Sequence, residues 1–178
     1  MIINVIQTMR PKDWIKNIFV LSPLIYSQLL NDFTKIQHCI FGFVLFCLIS
    51  GCIYIVNDLI DIEKDSSHPI NKFRPLASGK ISKKQLLFSF LFIFPIIIFI
   101  SYKLNLFFGF VITIYFIINY LYSIKLKNIV IIDIMIIALG FVLRVIGGGY
   151  LVEIHPSPWV IISTFFIALF LACAKRRG

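Results

Sequence analysis

Charge is scarce in this chain of 178 residues: 14% of it is Asp, Glu, Lys or Arg, and only eight residues are acidic. Soluble domains carry about 25% charged residues, and 60% hydrophobic residues with a mean hydropathy of +0.96 leave too little polar surface for one. A water-soluble globule is therefore excluded, and an integral membrane protein is implied. Cysteine is also sparse. Cys39, Cys47, Cys52 and Cys173 all lie inside apolar runs without a CxxC pair, which argues against a disulfide framework or a zinc site and for small buried hydrophobes. The three histidines, His38, His68 and His155, are far apart, and only His68 lies beside a cluster of acidic residues. Strands of alternating apolar and polar residues are missing, which excludes an outer-membrane barrel. A secretory leader is not expected either, because Arg10, Lys12 and Lys16 bracket polar residues rather than a short apolar core with a cleavage site.

Six long apolar runs are present, at about 17–31, 36–57, 85–101, 104–122, 129–151 and 157–174. Each approaches the ~20 residues that a ~30 Å hydrocarbon layer demands of a helix. The expected fold class is all-α: one polytopic transmembrane helical bundle over residues 1–178. Pro23 interrupts the first run, and Pro95 should kink the third. The net charge of +9 invites a nucleic-acid reading, but its distribution argues against one. Outside Arg144, which lies within the fifth run, the Lys and Arg residues divide 14 to 2 between alternate connections. That asymmetry is the positive-inside pattern and predicts a cytoplasmic N-terminus in the inner (plasma) membrane. Trp14 and Trp159 fall near opposite predicted interfaces, where aromatic belts form.

The second run ends in Asn57-Asp58-Leu59-Ile60-Asp61-Ile62-Glu63-Lys64-Asp65. On a continuous helix Asp58, Asp61 and Asp65 would share one face within roughly a 60° arc. Three crowded carboxylates repel one another unless a cation sits between them, and Mg²⁺ binds readily through carboxylates together with substrate phosphates. A solvated helix end that merely stops the membrane segment is the plainer alternative. Acidic residues do little to set topology, however, and Lys72, Arg74, Lys80, Lys83 and Lys84 follow at once. Arg74 is suited to bidentate contact with phosphate oxygens, and Lys72 or Lys80 to a point-charge contact. Anchoring of this loop to anionic lipid remains the alternative. Pro69 should stop a helix near His68, and Ser82 is placed to cap the next one.

A second constellation runs Tyr122-Ser123-Ile124-Lys125-Leu126-Lys127 and continues to Asp133, one to two turns into the fifth run. An intramembrane carboxylate is a candidate functional group by default. Arg144 lies 11 residues on, on the same side of the helix and ~16 Å further along the axis. The two cannot pair directly, so each needs another partner. Gly140 and Gly147 share that side, where small residues would let a neighbouring helix approach.

The acidic motif, followed by Arg74-Pro75-Leu76-Ala77-Ser78-Gly79, resembles the UbiA-type superfamily of membrane prenyltransferases. Further segments resemble one branch of it, the decaprenyl-phosphate phosphoribosyltransferases. They are Met9-Arg10-Pro11-Lys12-Asp13-Trp14-Ile15-Lys16-Asn17, Tyr122-Ser123 with Leu126-Lys127, Gly140-Phe141-Val142-Leu143-Arg144, Ser157-Pro158-Trp159 and Lys175-Arg176-Arg177. The resemblance implies a UbiA-like bundle with a cytoplasm-facing pocket open sideways to lipid. There Mg²⁺ on Asp58, Asp61 and Asp65 would hold the diphosphate of phosphoribosyl diphosphate. A polyprenyl phosphate would attack the anomeric carbon and release pyrophosphate, a step serving cell-envelope polysaccharide synthesis. Asn57 would orient the acids, and Lys72 and Arg74 would hold phosphates. Tyr122, Lys127 and Asp133 would line the donor site, with Lys16 and Arg144 as further substrate contacts. Asp58, Asp61 and Asp133 would be the catalytic acids. The family has about nine helices and a second acidic cluster, whereas this chain ends at Gly178, so the resemblance implies a fragment or a shortened member. Two alternatives stand beside it: prenyl transfer from a prenyl diphosphate to an aromatic acceptor, and a non-catalytic membrane partner or lipid carrier.

Overall fold

A computed structural model describes residues 2–177 as helices and turns, with no strand among them. A short α1 (Ile2–Thr8) leads into a 3-10 stretch (Pro11–Leu21) and α2 (Ser22–Tyr26). The long α3 (Phe33–Ile60) follows, then α4 (Ile62–Ser67), α5 (Lys83–Leu104), α6 (Leu106–Ile124), α7 (Val130–Leu151) and α8 (Pro158–Arg177). Four helices, α3, α5, α6 and α7, are long and apolar enough to cross a membrane, and α8 adds a shorter apolar segment over Pro158–Ala174. Gly178 lies outside the described residues, as do the side chains of residues 175–177 in the basic C-terminal segment.

Local chemistry sets the helix starts. The Asp32 carboxylate accepts from Thr34 N and Lys35 N at the head of α3. Ser82 and Gln85 form a reciprocal capping box at the head of α5, as the sequence predicts for Ser82. Asn105 caps α6 through Phe108 N. α4 ends at Ser67, just before Pro69.

The first expected span differs most from expectation. Residues 17–31 do not make one α-helix; the chain winds as 3-10 to Leu21 and as α only over Ser22–Tyr26. Pro23 supplies no N–H for the ladder, which is one physical reason the segment never settles into long α winding. At about 2.0 Å rise per residue, the 11 residues of the 3-10 stretch still cover about 22 Å. Close packing also fixes this segment. A Cβ on Gly148 would collide with the Val20 carbonyl, so α7 approaches the 3-10 backbone as closely as glycine permits.

α3 is the central post, packed against the 3-10 stretch, α5, α6 and α7. Around it Phe46, Phe108 and Tyr115 meet edge to face at centroid distances of 5.8 and 5.4 Å. Large apolar side chains on the outer faces of α5, α6 and α8, including Phe88, Phe92, Phe107, Phe166 and Phe170, are exposed. Such faces suit lipid rather than water. The protein is an integral membrane protein.

Candidate functional site

The motif that begins on α3 does not finish on it. Asp61, with φ −94° and ψ 11°, ends α3 and begins α4, so the continuous helix expected through Asp58, Asp61 and Asp65 is broken at its middle carboxylate. Asp58 and Asp65 remain close enough to share Arg74 Nη1, while Asp61 pairs with Lys127 instead. Asn57, Asp61 and Asp65 line a cavity of about 930 Å³ between the 3-10 stretch, α3, α6, α7 and α8. Asp58 lies behind that wall, 2% exposed.

Each carboxylate is met by a cation. Arg10 Nη2 donates to Asp58 Oδ1 at 2.6 Å, and Arg74 Nη1 approaches the same oxygen at 3.4 Å. Arg74 Nη1 also pairs with Asp65 Oδ2 at 2.5 Å, while Asn71 Nδ2 donates to Asp65 Oδ1 at 3.0 Å. Lys127 Nζ pairs with Asp61 Oδ2 at 2.5 Å, bringing the α6–α7 connection onto the α3–α4 break. The second oxygen of Asp58, Oδ2, is buried without a hydrogen-bond partner among the described residues. Arg10 is held from both sides, its guanidinium lying 4.5 Å from the Tyr54 ring centroid. Its φ of 51° is left-handed, a conformation that costs a non-glycine residue about 1 kcal/mol or more and that the Asp58 and Tyr54 contacts offset.

The other expected residues divide between cavity and surface. Lys16 borders the cavity but is paired with Asp13 at 2.6 Å. Partial burial alone would raise the Asp13 carboxyl, yet the Lys16 hydrogen bond and charge, with Arg10 nearby, hold it below its ordinary value. Tyr122 Oη donates to Asp133 Oδ1 at 2.8 Å, and both line the cavity. Lys72 sits elsewhere, exposed on the loop with its ammonium 5.3 Å from the Phe73 ring and outside the cavity wall. Arg144 reaches the cavity from α7 and is bonded to Asn17, Gly140 and Tyr115. Gly140 and Gly147 do face neighbours, Tyr115 and Phe46, but the tightest glycine contact of α7 is at Gly148.

Several residues of the site had no function assigned from the sequence, among them Arg10, Asn71 and Tyr115. Arg10 had one local signal, a cation immediately before Pro11, where the right-handed helical region is disfavoured. Asn71 and Tyr115 had none, because only the chain fold brings them to the acids and to Arg144.

Among the described residues no three of His, Cys, Asp and Glu converge closely enough to cage a metal ion. The donor chemistry fits Mg²⁺ nonetheless. Mg²⁺ needs only one or two carboxylates plus substrate phosphates and water rather than an all-protein cage. Asn57, Asp61 and Asp65 present oxygen ligands to the cavity. The wall also carries apolar side chains, among them Ile18, Phe19, Ile137, Phe141 and Leu171, beside the polar Ser50, Tyr115 and Arg144.

Residues 20–176 match the UbiA prenyltransferase family. A decaprenyl-phosphate phosphoribosyltransferase of Mycolicibacterium smegmatis is 34% identical over 179 residues, covering 97% of this chain and 56% of that protein. Its namesake in Corynebacterium glutamicum is 33% identical, covering 97% of this chain and 53% of the relative. The chain thus spans about half the length of the curated relatives it matches. The structure of a UbiA homologue from Archaeoglobus fulgidus bound to DMAPP and Mg²⁺ superposes with a TM-score of 0.78 at 19% identity, covering 93% of this chain and 60% of that one. A digeranylgeranylglyceryl phosphate synthase structure gives 0.76 at 22% identity, with 96% and 59% covered. At these identities the structures establish a shared helical fold.

Proposed function

Because the chain belongs to the UbiA prenyltransferase family, we propose that the protein moves a 5-phosphoribosyl group from phosphoribosyl diphosphate to a polyprenyl phosphate within the membrane. The bond from the ribose anomeric carbon to the diphosphate oxygen breaks, a bond from that carbon to a lipid phosphate oxygen forms, and pyrophosphate leaves. One observation carries the reading: a single cavity has clustered carboxylates and cations at one end, while many of its other lining side chains are apolar. A water-soluble phosphorylated donor fits the first part and a polyprenyl chain the second. The names of the curated relatives support the ribosyl donor.

Arg10, Arg74 and Lys127 bind and orient the diphosphate. Charge builds on its oxygens as the anomeric bond breaks, and preorganised cations stabilise that charge. Asn57, Asp61 and Asp65 supply oxygen ligands for Mg²⁺, which when bound neutralises the leaving diphosphate. Asp58 acts differently: buried behind the wall, it holds Arg10 and Arg74 in place. Tyr122 and Asp133, joined at 2.8 Å, form the polar edge on the α7 side. The 14-to-2 basic asymmetry supports a cytoplasmic N-terminus and a site open to the cytoplasm, where a sugar diphosphate is available.

The apolar wall and the DMAPP-bound archaeal structure favour a second reading, prenyl transfer from a prenyl diphosphate to an aromatic acceptor. The test supplies purified protein with ribose-labelled phosphoribosyl diphosphate, decaprenyl phosphate and Mg²⁺. The expected result is a lipid-extractable ribosyl product with stoichiometric pyrophosphate, abolished by EDTA. Label transfer only from a prenyl diphosphate would select the second reading. No transfer from either donor would favour a non-catalytic membrane partner.

A further inference from the structure

Arg144 is a buried cation that the carboxylates leave uncompensated. Its side chain is 7% exposed, on a helix that crosses the membrane, and among the described residues no carboxylate pairs with it. Buried charges are normally paired, and intramembrane arginines face bundle interiors or water-filled cavities. Among the described residues the guanidinium's hydrogen-bond partners are neutral. Nε donates to Asn17 Oδ1, Nη1 to the Gly140 carbonyl and Nη2 to Tyr115 Oη, each at 2.7 Å. The Tyr115 ring lies 4.8 Å from the guanidinium carbon and the Phe141 ring 5.4 Å. Ser50 completes the frame through Asn17 Oδ1 and Tyr115 Oη, at 3.3 and 3.2 Å.

This frame is a built site. A guanidinium carries five N–H groups, and the three bonds above leave one donor on each terminal nitrogen. Arg144, Tyr115 and Ser50 all border the cavity, while Asn17 braces the arginine from behind with no exposure of its own. The charge balance differs between the two ends of the cavity. At the Asp61 end, Arg10, Arg74 and Lys127 are matched by three aspartates. At the Arg144 end the positive charge is unmatched, about 16 Å along α7 from Asp133 at 1.5 Å per residue. Two unused N–H groups on adjacent nitrogens of a fixed guanidinium suit a tetrahedral oxyanion.

We infer that Arg144, framed by Asn17, Tyr115 and Ser50, is a second anion subsite that takes a phosphate monoester, separate from the diphosphate-binding end. The identity of its ligand rests on the transfer reaction proposed above, whose two substrates each carry such a group: the lipid headgroup and the 5-phosphate of the ribosyl donor. The subsite itself stands on the geometry alone.

The test is binding to purified protein in lipid nanodiscs, with farnesyl phosphate against farnesol and ribose 5-phosphate against ribose as probes. Wild type should prefer at least one phosphate over its alcohol. Arg144→Gln should lose roughly 10- to 100-fold for that phosphate, the range of one or two charge-assisted hydrogen bonds, with the alcohol unchanged. The probe pair that responds identifies the source. Arg144→Lys, which keeps the charge, should hold the phosphate preference within about tenfold of wild type. No phosphate preference in wild type, or equal loss of phosphate and alcohol in Arg144→Gln, overturns the inference. If Arg144→Gln does not fold, Arg144→Lys decides. A purely structural arginine cannot be replaced by an ammonium lacking its three directed bonds, so the lysine variant would then lose both members of each pair alike. Phosphoribosyl diphosphate with Mg²⁺ is added as a separate arm. Its failure to bind wild type would sink the transfer reaction while leaving an Arg144-dependent phosphate preference intact.

Discussion

Asp58→Asn separates two roles that adjacent acids of one motif are otherwise assumed to share. The substitution keeps the side chain's size and one acceptor oxygen but removes its charge, in a residue 2% exposed behind the cavity wall. Two contacts weaken: the 2.6 Å pair with Arg10 and the longer 3.4 Å approach of Arg74, which keeps its bond to Asp65. A charge-assisted hydrogen bond contributes about 1.5–3 kcal/mol. Both arginine side chains are about a quarter exposed, so solvent screening brings the expected loss to about 1–2 kcal/mol. If that loss appears in donor binding, affinity for phosphoribosyl diphosphate falls roughly 5- to 30-fold. The Mg²⁺ concentration giving half-maximal binding should not move, because Asp58 does not face the cavity. Asp61→Asn is the control and should raise that Mg²⁺ requirement sharply. The assay is calorimetric titration of the donor at several Mg²⁺ concentrations. An Asp58→Asn protein with a Mg²⁺ requirement raised as far as that of Asp61→Asn would refute the division and return Asp58 to the metal ligands.

Three further outcomes are expected. Tyr122→Phe removes the hydroxyl that donates to Asp133 at 2.8 Å and should cost about 0.5–1.5 kcal/mol of donor binding or stability; unchanged titration and melting curves would show that the bond carries nothing. Gly148→Ala places a methyl against the Val20 carbonyl, so a drop of about 1–3 kcal/mol in stability is expected, read as a lower thermal midpoint in detergent; a wild-type midpoint would show that the 3-10 stretch is free to move away. In a background lacking Cys39, Cys47, Cys52 and Cys173, an impermeant thiol reagent on intact cells should spare Ser78→Cys and label Glu153→Cys, and the reverse pattern would invert the proposed orientation.

The membrane fold was legible because hydropathy acts residue by residue. Runs predicted at 36–57, 85–101, 104–122, 129–151 and 157–174 appear as helices α3, α5, α6, α7 and α8, each displaced by only a few residues. The first run was not legible as a span, since its 3-10 winding follows from packing against Gly148 and from Pro23, neither of which registers in average apolarity. In the site, Asn57, Asp61, Asp65 and Arg74 were legible because one short segment holds them all. The expectation of a shared face for the three acids failed at Asp61, where the helix breaks, and periodicity assumes an unbroken helix. The partners of Asp133 and Arg144 could not be read from spacing. The sequence showed only that the two are too far apart to pair, whereas Tyr122, Asn17 and Tyr115 reach them through the fold.

A metal-assisted site for a ribosyl diphosphate donor can be assayed by equilibrium binding of labelled phosphoribosyl diphosphate to the purified protein, with Mg²⁺ and with EDTA, against competing geranyl diphosphate. The expected result is saturable binding that requires Mg²⁺, is lost in Asp61→Asn, and is displaced by geranyl diphosphate only weakly. Binding indifferent to EDTA, or displacement by geranyl diphosphate at concentrations far below the ribosyl donor's own affinity, would contradict it.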